Sequence, residues 1–276
     1  MYKLTRPDGL DFYTGTINYR DAIGSIIRII DYDRPESGAC GKGLHASRNP
    51  NDCFIGGGIP CAAFRVNGIQ RIAGDKHKSR YRGLKIIEEI LDLDTLFGWK
   101  YSIASDPVNP FAVDPPKITD SHIALLKEWD LVRASVAASV SFSEAGSVVA
   151  AGAIGVSSSV MASVITAVNS FVVDSLRGSS LRAFLLMESV ERSLRAFPPM
   201  ESVEGSLWAS VVASAWAYMG SLFPNIKKWK YISHKKGVYP YQSCVDLWNM
   251  GLVPSFDGKT WRLHGGKDSG ILYERH

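Results

Sequence analysis

The sequence predicts a three-part chain. An α+β N-terminal domain is followed by a β-solenoid-like repeat region, with a bundle of short helices as the alternative, and by a small α/β C-terminal cap. Three observations predict it. Residues 1–105 alternate short apolar runs with Gly, Pro and Asp turn signals. Residues 131–224 carry a serine every four positions, at Ser135, Ser139, Ser143 and Ser147, then Ser159 and Ser163, and after a shift Ser202, Ser206, Ser210 and Ser214. From residue 225 the composition turns basic and aromatic.

Within the first domain, "GSIIRIIDYD" and "CAAFRVNGIQRIAG" read as strands. The stretch 80–96, with Leu84, Ile87 and Leu91 separated by charged residues, reads as an amphipathic helix. Next, "DPVNPFAVDPPK" holds Pro107, Pro110, Pro115 and Pro116, which no helix interior accommodates. It is an extended connector, and with the short helix that follows it occupies residues 106–130. That helix starts at a Thr119 or Asp120 cap and carries Ile123, Leu126 and Trp129 as its apolar stripe.

The repeat decides the middle. Four residues advance an α-helix by about 400°, so a period-four stripe drifts by about 40° each time and ten repeats bury no single face. In an extended chain, Ala-Ser-Val-x alternates cleanly and suits short stacked coils. The same region contains a tandem duplication, "RAFLLMESVERSL" followed at once by "RAFPPMESVEGSL". The first copy suits a helix, whereas Pro198 and Pro199 in the second do not. In the cap, 225–276, "YPYQSCVDLWNMG" reads as a short helix closed by Gly251. "GLVPSFDGKTWRLHGG" reads as a hairpin turning at Asp257-Gly258.

Composition bounds the function. The 276 residues are 46% hydrophobic and 21% charged, an ordinary globular balance, and a formal charge of +4 demands neither nucleic acid nor an anionic surface. Cys40, Cys53, Cys61 and Cys244 contain no C-x-x-C pair, which favours free thiols and a reducing compartment and gives no zinc signature. The N-terminal "MYKLTRPDGLDFYTG" has no apolar core of a secretory signal. Residues 145–173 lack charge and are long enough to span a bilayer, yet the serine repeat runs through them, so a buried repeat core is expected in place of a membrane span.

Chemistry concentrates in "CGKGLHASRNPNDCF" (40–54), where Gly41 and Gly43 permit an unusual backbone path and His45 is a candidate acid, base or hydrogen-bond donor. No dinucleotide fingerprint, phosphate loop, nucleophile elbow or zinc-protease motif is present. At Cys40, Gly43, Leu44, His45, Ala46, Asn49 and Pro50 the chain resembles a group of uncharacterised phage and bacterial proteins. Their N-terminal domain carries Cys-x-x-Gly-(Leu/Phe)-His-Ala, and short Ser/Ala/Val-rich repeats follow. That likeness implies phage origin, residence in the host cytoplasm or the virion, and no particular activity. "GLHAS" ahead of an apolar strand, with "IIEEI" beyond, is also loosely similar to ADP-ribosyltransferase-like folds, including RNA 2′-phosphotransferases. That second likeness implies NAD as cofactor, with His45, Ser47 and Glu88 or Glu89 as the catalytic set.

A third reading comes from Lys227, Lys228, Lys230, Lys235 and Lys236, interleaved with Trp229 and Tyr231, which suit phosphate gripping and base stacking. The expectation carried forward is a non-enzymatic accessory protein that assembles with itself or binds another protein through its repeat region, without a cofactor. The NAD-dependent enzyme and the nucleic-acid binder are its alternatives.

Overall fold

A computed structural model describes residues 1–136, 213–224, 226, 229, 232–267 and 269–276. They belong to two compact units, the first containing Met1–Ser105 and the second beginning at Asp106.

The first unit is built on a hairpin of two long strands. β4 (Ala62–Gly74) and β5 (Lys78–Ile90) pair antiparallel along their length, with register shifts between Arg65 and Val66 and between Arg71 and Ala73. Asp75 makes the turn, its Oδ1 accepting the N–H groups of His77 and Lys78 at 2.8 Å. β1 (Tyr2–Thr5) takes the other edge of β4. Because β4 occupies one edge of β5 throughout, β3 (Leu44–Ser47) and β2 (Ile26–Arg28) share the opposite edge in succession. One bridge, Tyr2 to Ser47, joins β1 to β3, so β1, β4, β5 and β3 close into a small barrel. The bulges bend the long hairpin enough for this closure.

Leu44, Ala46, Phe64, Val66, Tyr81, Leu84 and Ile86 fill the core together with Tyr19. Each fully buried Leu, Ile or Phe contributes roughly 1.5–3 kcal/mol. A second, aromatic cluster forms where α1 (Leu93–Phe97) and α2 (Tyr101–Ser105) return over the short 3-10 turn Pro50–Phe54. Phe54, Phe97, Trp99 and Tyr101 pack with ring centroids 5.1–6.0 Å apart. Asn51 pins this cluster, its amide donating to the Phe97 carbonyl and its oxygen accepting the Trp99 indole N–H, both at 3.0 Å.

The second unit combines helices with a three-stranded antiparallel sheet. Residues 120–136 (α3), 213–220 (α4) and Gln242–Asn249 (α5) are helical. β6 (Val253–Phe256), β7 (Trp261–Gly265) and β8 (Gly270–Arg275) form a meander. α3 buries His122, Leu126, Trp129 and Val136, a helical i, i+4, i+7 stripe. α5 ends at Gly251, whose φ of +76° a side chain would strain. The proline-rich connector packs against this unit: the Val108 N–H donates to the Tyr218 hydroxyl at 3.1 Å, and its carbonyl accepts the Trp248 indole N–H at 2.9 Å.

These findings correct the expected fold class. The described residues are mostly antiparallel sheet, one sheet of five strands and one of three, with few helices, and no solenoid is found among them. Most of the repeat, 137–212, lies outside the described residues, as do both copies of the duplication and the uncharged stretch 145–173. Its two described ends, 131–136 and 213–220, are helical and not extended. The drift argument fails there because it concerns many repeats, and each end spans only one or two. Ser135 satisfies its hydroxyl within the helix by donating to the Val132 carbonyl at 2.7 Å. A second correction concerns 80–96, expected as a helix: residues 80–90 belong to β5.

Candidate functional site around His45

The sequence motif 40–54 occupies β3 and its two flanks. Leu44 and Ala46 face the core, so His45 and Ser47 face the other side of the sheet. His45 lies directly opposite Arg80 on β5, and Ser47 opposite Lys78. Gly43 has a clear steric cause, because a Cβ there would lie 2.3 Å from Arg80 Cγ. The arginine stem rests on the glycine. Asn49 caps the following 3-10 turn by accepting the Asn51 N–H at 3.1 Å, with Pro50 in first position.

Arg80 is fully buried. Its guanidinium donates from Nη1 to the Lys42 carbonyl at 2.9 Å and from Nη2 to the Arg34 carbonyl at 2.8 Å. Among the described residues it makes no ion pair, and Nε has no partner. His45 hydrogen-bonds the Ala39 backbone, and its Nε2 is buried without a partner among the described residues. Burial first, then the charges of Lys3 and Lys78, bring its pKa down to about 4. The imidazole is therefore neutral at physiological pH.

The remaining members of the expected catalytic set are engaged elsewhere. Ser47 is buried and hydrogen-bonds the Cys53 thiol, which donates to the Tyr2 carbonyl at 3.3 Å. Glu88 accepts from Arg65 Nε at 2.7 Å, and Glu89 from Arg20 Nε at 2.7 Å. The β5 residue opposite His45 is Arg80, so Glu88 lies eight residues further along the strand, roughly 26 Å of extended chain. The structure thus brings His45 and Ser47 onto one face and leaves both glutamates at the far end of β5. Arg80, the residue that organises the motif, was missed because a charged residue in an apparent helix reads as solvated. The signal was present in Gly43, since a glycine before a strand invites a close neighbour.

Of the basic segment, Lys227, Lys228, Lys230 and Tyr231 lie outside the described residues. Trp229 is buried, edge-on to Tyr239 at 5.2 Å and to Tyr241 at 6.1 Å, so its ring is core and not a stacking platform. Lys235 and Lys236 are at least partly exposed. Among the described residues no group of His, Cys, Asp or Glu is placed to hold a metal, and no helix is long and apolar enough to cross a membrane. No protein-family model, no curated protein and no solved structure matches the chain.

Proposed function

We propose that the protein acts by binding, to a second copy of itself or to another protein, as a non-enzymatic accessory protein of phage type. The observation that carries this reading is an open, apolar sheet edge. β2 is the outer strand of its sheet, with β5 its ladder partner, and Ile23, Ile26 and Ile30 around it are 43%, 46% and 97% exposed. An outer strand offers unpaired N–H and C=O groups, and exposed isoleucines beside it supply the apolar area that rewards strand addition. β8 repeats the arrangement in the second unit, with Ile271 and Leu272 exposed. The Ser/Ala/Val repeat, which follows α3 in sequence and runs up to α4, is the further assembly surface in this reading.

The engagement of Glu88, Glu89 and Ser47 by other side chains favours binding over NAD-dependent transfer, and the burial of Trp229 weakens the nucleic-acid reading. Sedimentation of the full chain over a wide concentration range tests the proposal. Concentration-dependent oligomers are expected, reduced by Ile26→Lys with Ile30→Lys or by Ile271→Lys with Leu272→Lys. An unchanged monomer, together with nucleic-acid binding that falls steeply with salt, would replace this reading with the third one.

A further inference from the structure

We propose that Arg80 and His45 form a binding site for a phosphoryl group, closed in this state by the strap of residues 31–43, whose own carbonyls occupy the guanidinium.

The argument begins with what Arg80 holds. A guanidinium fork fits two oxygens side by side, the arrangement a phosphate or carboxylate presents. Here the two oxygens are main-chain carbonyls, those of Lys42 and Arg34, one from each limb of the strap. They satisfy geometry but supply no negative charge, and a fully buried cation without a counter-charge is costly. Asp33 comes near without forming an ion pair with it. Its Oδ2 and Arg80 Nη1 would lie 2.7 and 2.8 Å from a Cβ at Gly41, but the carboxylate accepts the Lys42 N–H at 2.8 Å instead.

A second observation points to the same ligand. Arg80 Nε and His45 Nε2 are both buried, both without partners among the described residues, and belong to residues directly opposite each other on the β3–β5 ladder. Nε–H is a donor. The neutral imidazole, with its other nitrogen engaged at Ala39, presents a lone pair at Nε2. One donor and one acceptor on the same sheet face, from register partners, suit a phosphate monoanion, which offers bare oxygens and one O–H. A carboxylate at neutral pH has no proton to give His45.

Beyond Arg80 the strap is held by the His45–Ala39 hydrogen bond, by the Arg82 guanidinium 4.6 Å from the Tyr32 ring centroid, and within itself by the Asp33 N–H donating to the Lys42 carbonyl at 3.2 Å. Residues 34–36, 38 and 40–42 are exposed, and Lys42 Nζ pairs with Asp31 at 2.8 Å in the open. Opening would free the guanidinium, so apparent affinity scales with the fraction of open strap.

The test uses the full chain, with inorganic phosphate as the probe and sodium acetate as the control, at constant ionic strength. Two signals are followed: the Arg80 Nε–H resonance, and hydrogen exchange of the amides of residues 34–42. A saturable phosphate-dependent shift of Nε–H with faster strap exchange is expected, and acetate should be weaker. Asp33→Ala removes the acceptor of the Lys42 N–H and also a carboxylate close to Arg80. Amides 34–42 must therefore exchange faster in this variant before phosphate is added, and tighter phosphate binding without that faster exchange would overturn the strap. The variant should tighten the apparent phosphate Kd roughly fivefold, the change one ordinary hydrogen bond supports. No saturable response in either the natural chain or Asp33→Ala would overturn the proposal. A response equal for phosphate and acetate would overturn the phosphoryl assignment.

Discussion

Replacing His45 by Asn should make the first unit less sensitive to acid. In the folded chain, burial and the charges of Lys3 and Lys78 hold the imidazole pKa at about 4, against 6.5 for a free histidine. Above pH 7.5 the ring is neutral whether folded or not, and its titration contributes nothing. As pH falls through 6.5 the unfolded chain takes up a proton that the fold refuses, so stability declines with each step down. Below about 4 both states are protonated and the loss is complete. The full difference corresponds to about 3 kcal/mol, and partial exposure of the ring reduces this to about 2 kcal/mol. Urea unfolding followed through the Trp99 indole N–H signal, at pH 7.5, 6, 5 and 4.5, measures it. Trp99 is the reporter because its N–H donates to Asn51 within this unit. The stability gap between the natural chain and His45→Asn should shrink by about 2 kcal/mol from pH 7.5 to 4.5. Asp11, whose carboxylate three backbone N–H groups and the Thr14 hydroxyl hold well below its usual range, titrates in both proteins and cancels. A gap independent of pH, or a His45 titration between 6 and 7 by NMR, would refute the reasoning.

Gly43→Ala should destabilise the chain by about 1–3 kcal/mol, since Arg80 must leave the path its stem now follows; thermal unfolding checks this. Ile86→Ala, at a fully buried position in the barrel, should cost about 2–5 kcal/mol by denaturant titration. Trp229→Ala should lower the melting temperature of the second unit, whereas Lys235→Gln with Lys236→Gln should leave it within about 0.5 kcal/mol of the natural chain. Cys40 is exposed and should react quickly with a thiol reagent at pH 8. Cys61 and Cys244, buried and pushed up to about 12, should react only on unfolding.

The sequence was most legible where structure is local. The Asp257-Gly258 hairpin is present, with Asp257 Oδ1 accepting the N–H groups of Lys259 and Thr260 at 2.9 and 2.8 Å. The helix after the connector was read from Leu126 and Trp129, which are fully buried, although His122 and not Ile123 completes the stripe. Reading failed where pairing is distant. Along β5 and just past its end, Leu84, Ile87 and Leu91 mimic a helical face, yet Leu84 and Ile86 are the core residues and Leu91 is 86% exposed. The core residues of β5 change parity between Tyr81 and Leu84, and that change erases the simple alternation. The barrel closure rests on bulges and a single β1–β3 bridge, and neither leaves a mark in hydropathy. Of the candidate site, the position and isolation of His45 follow from its strand. The role of Arg80 depends on a contact 37 residues away in sequence from Gly43, and no local pattern encodes it.

The proline-rich connector has a practical meaning for anyone dividing the chain. Its prolines suggest a spacer that can be cut anywhere, but Val108 threads both its N–H and its carbonyl into the second unit, to Tyr218 and Trp248. Pro115 likewise comes within 2.8 Å of where a side chain on Gly265 would begin. A fragment starting at Ile118 would therefore strip two polar groups of their mates and uncover the surface the prolines now seal. The safe scissile point lies just ahead of Asp106. What looks like a leash in the composition behaves as the first lap of the second unit's own wrapping.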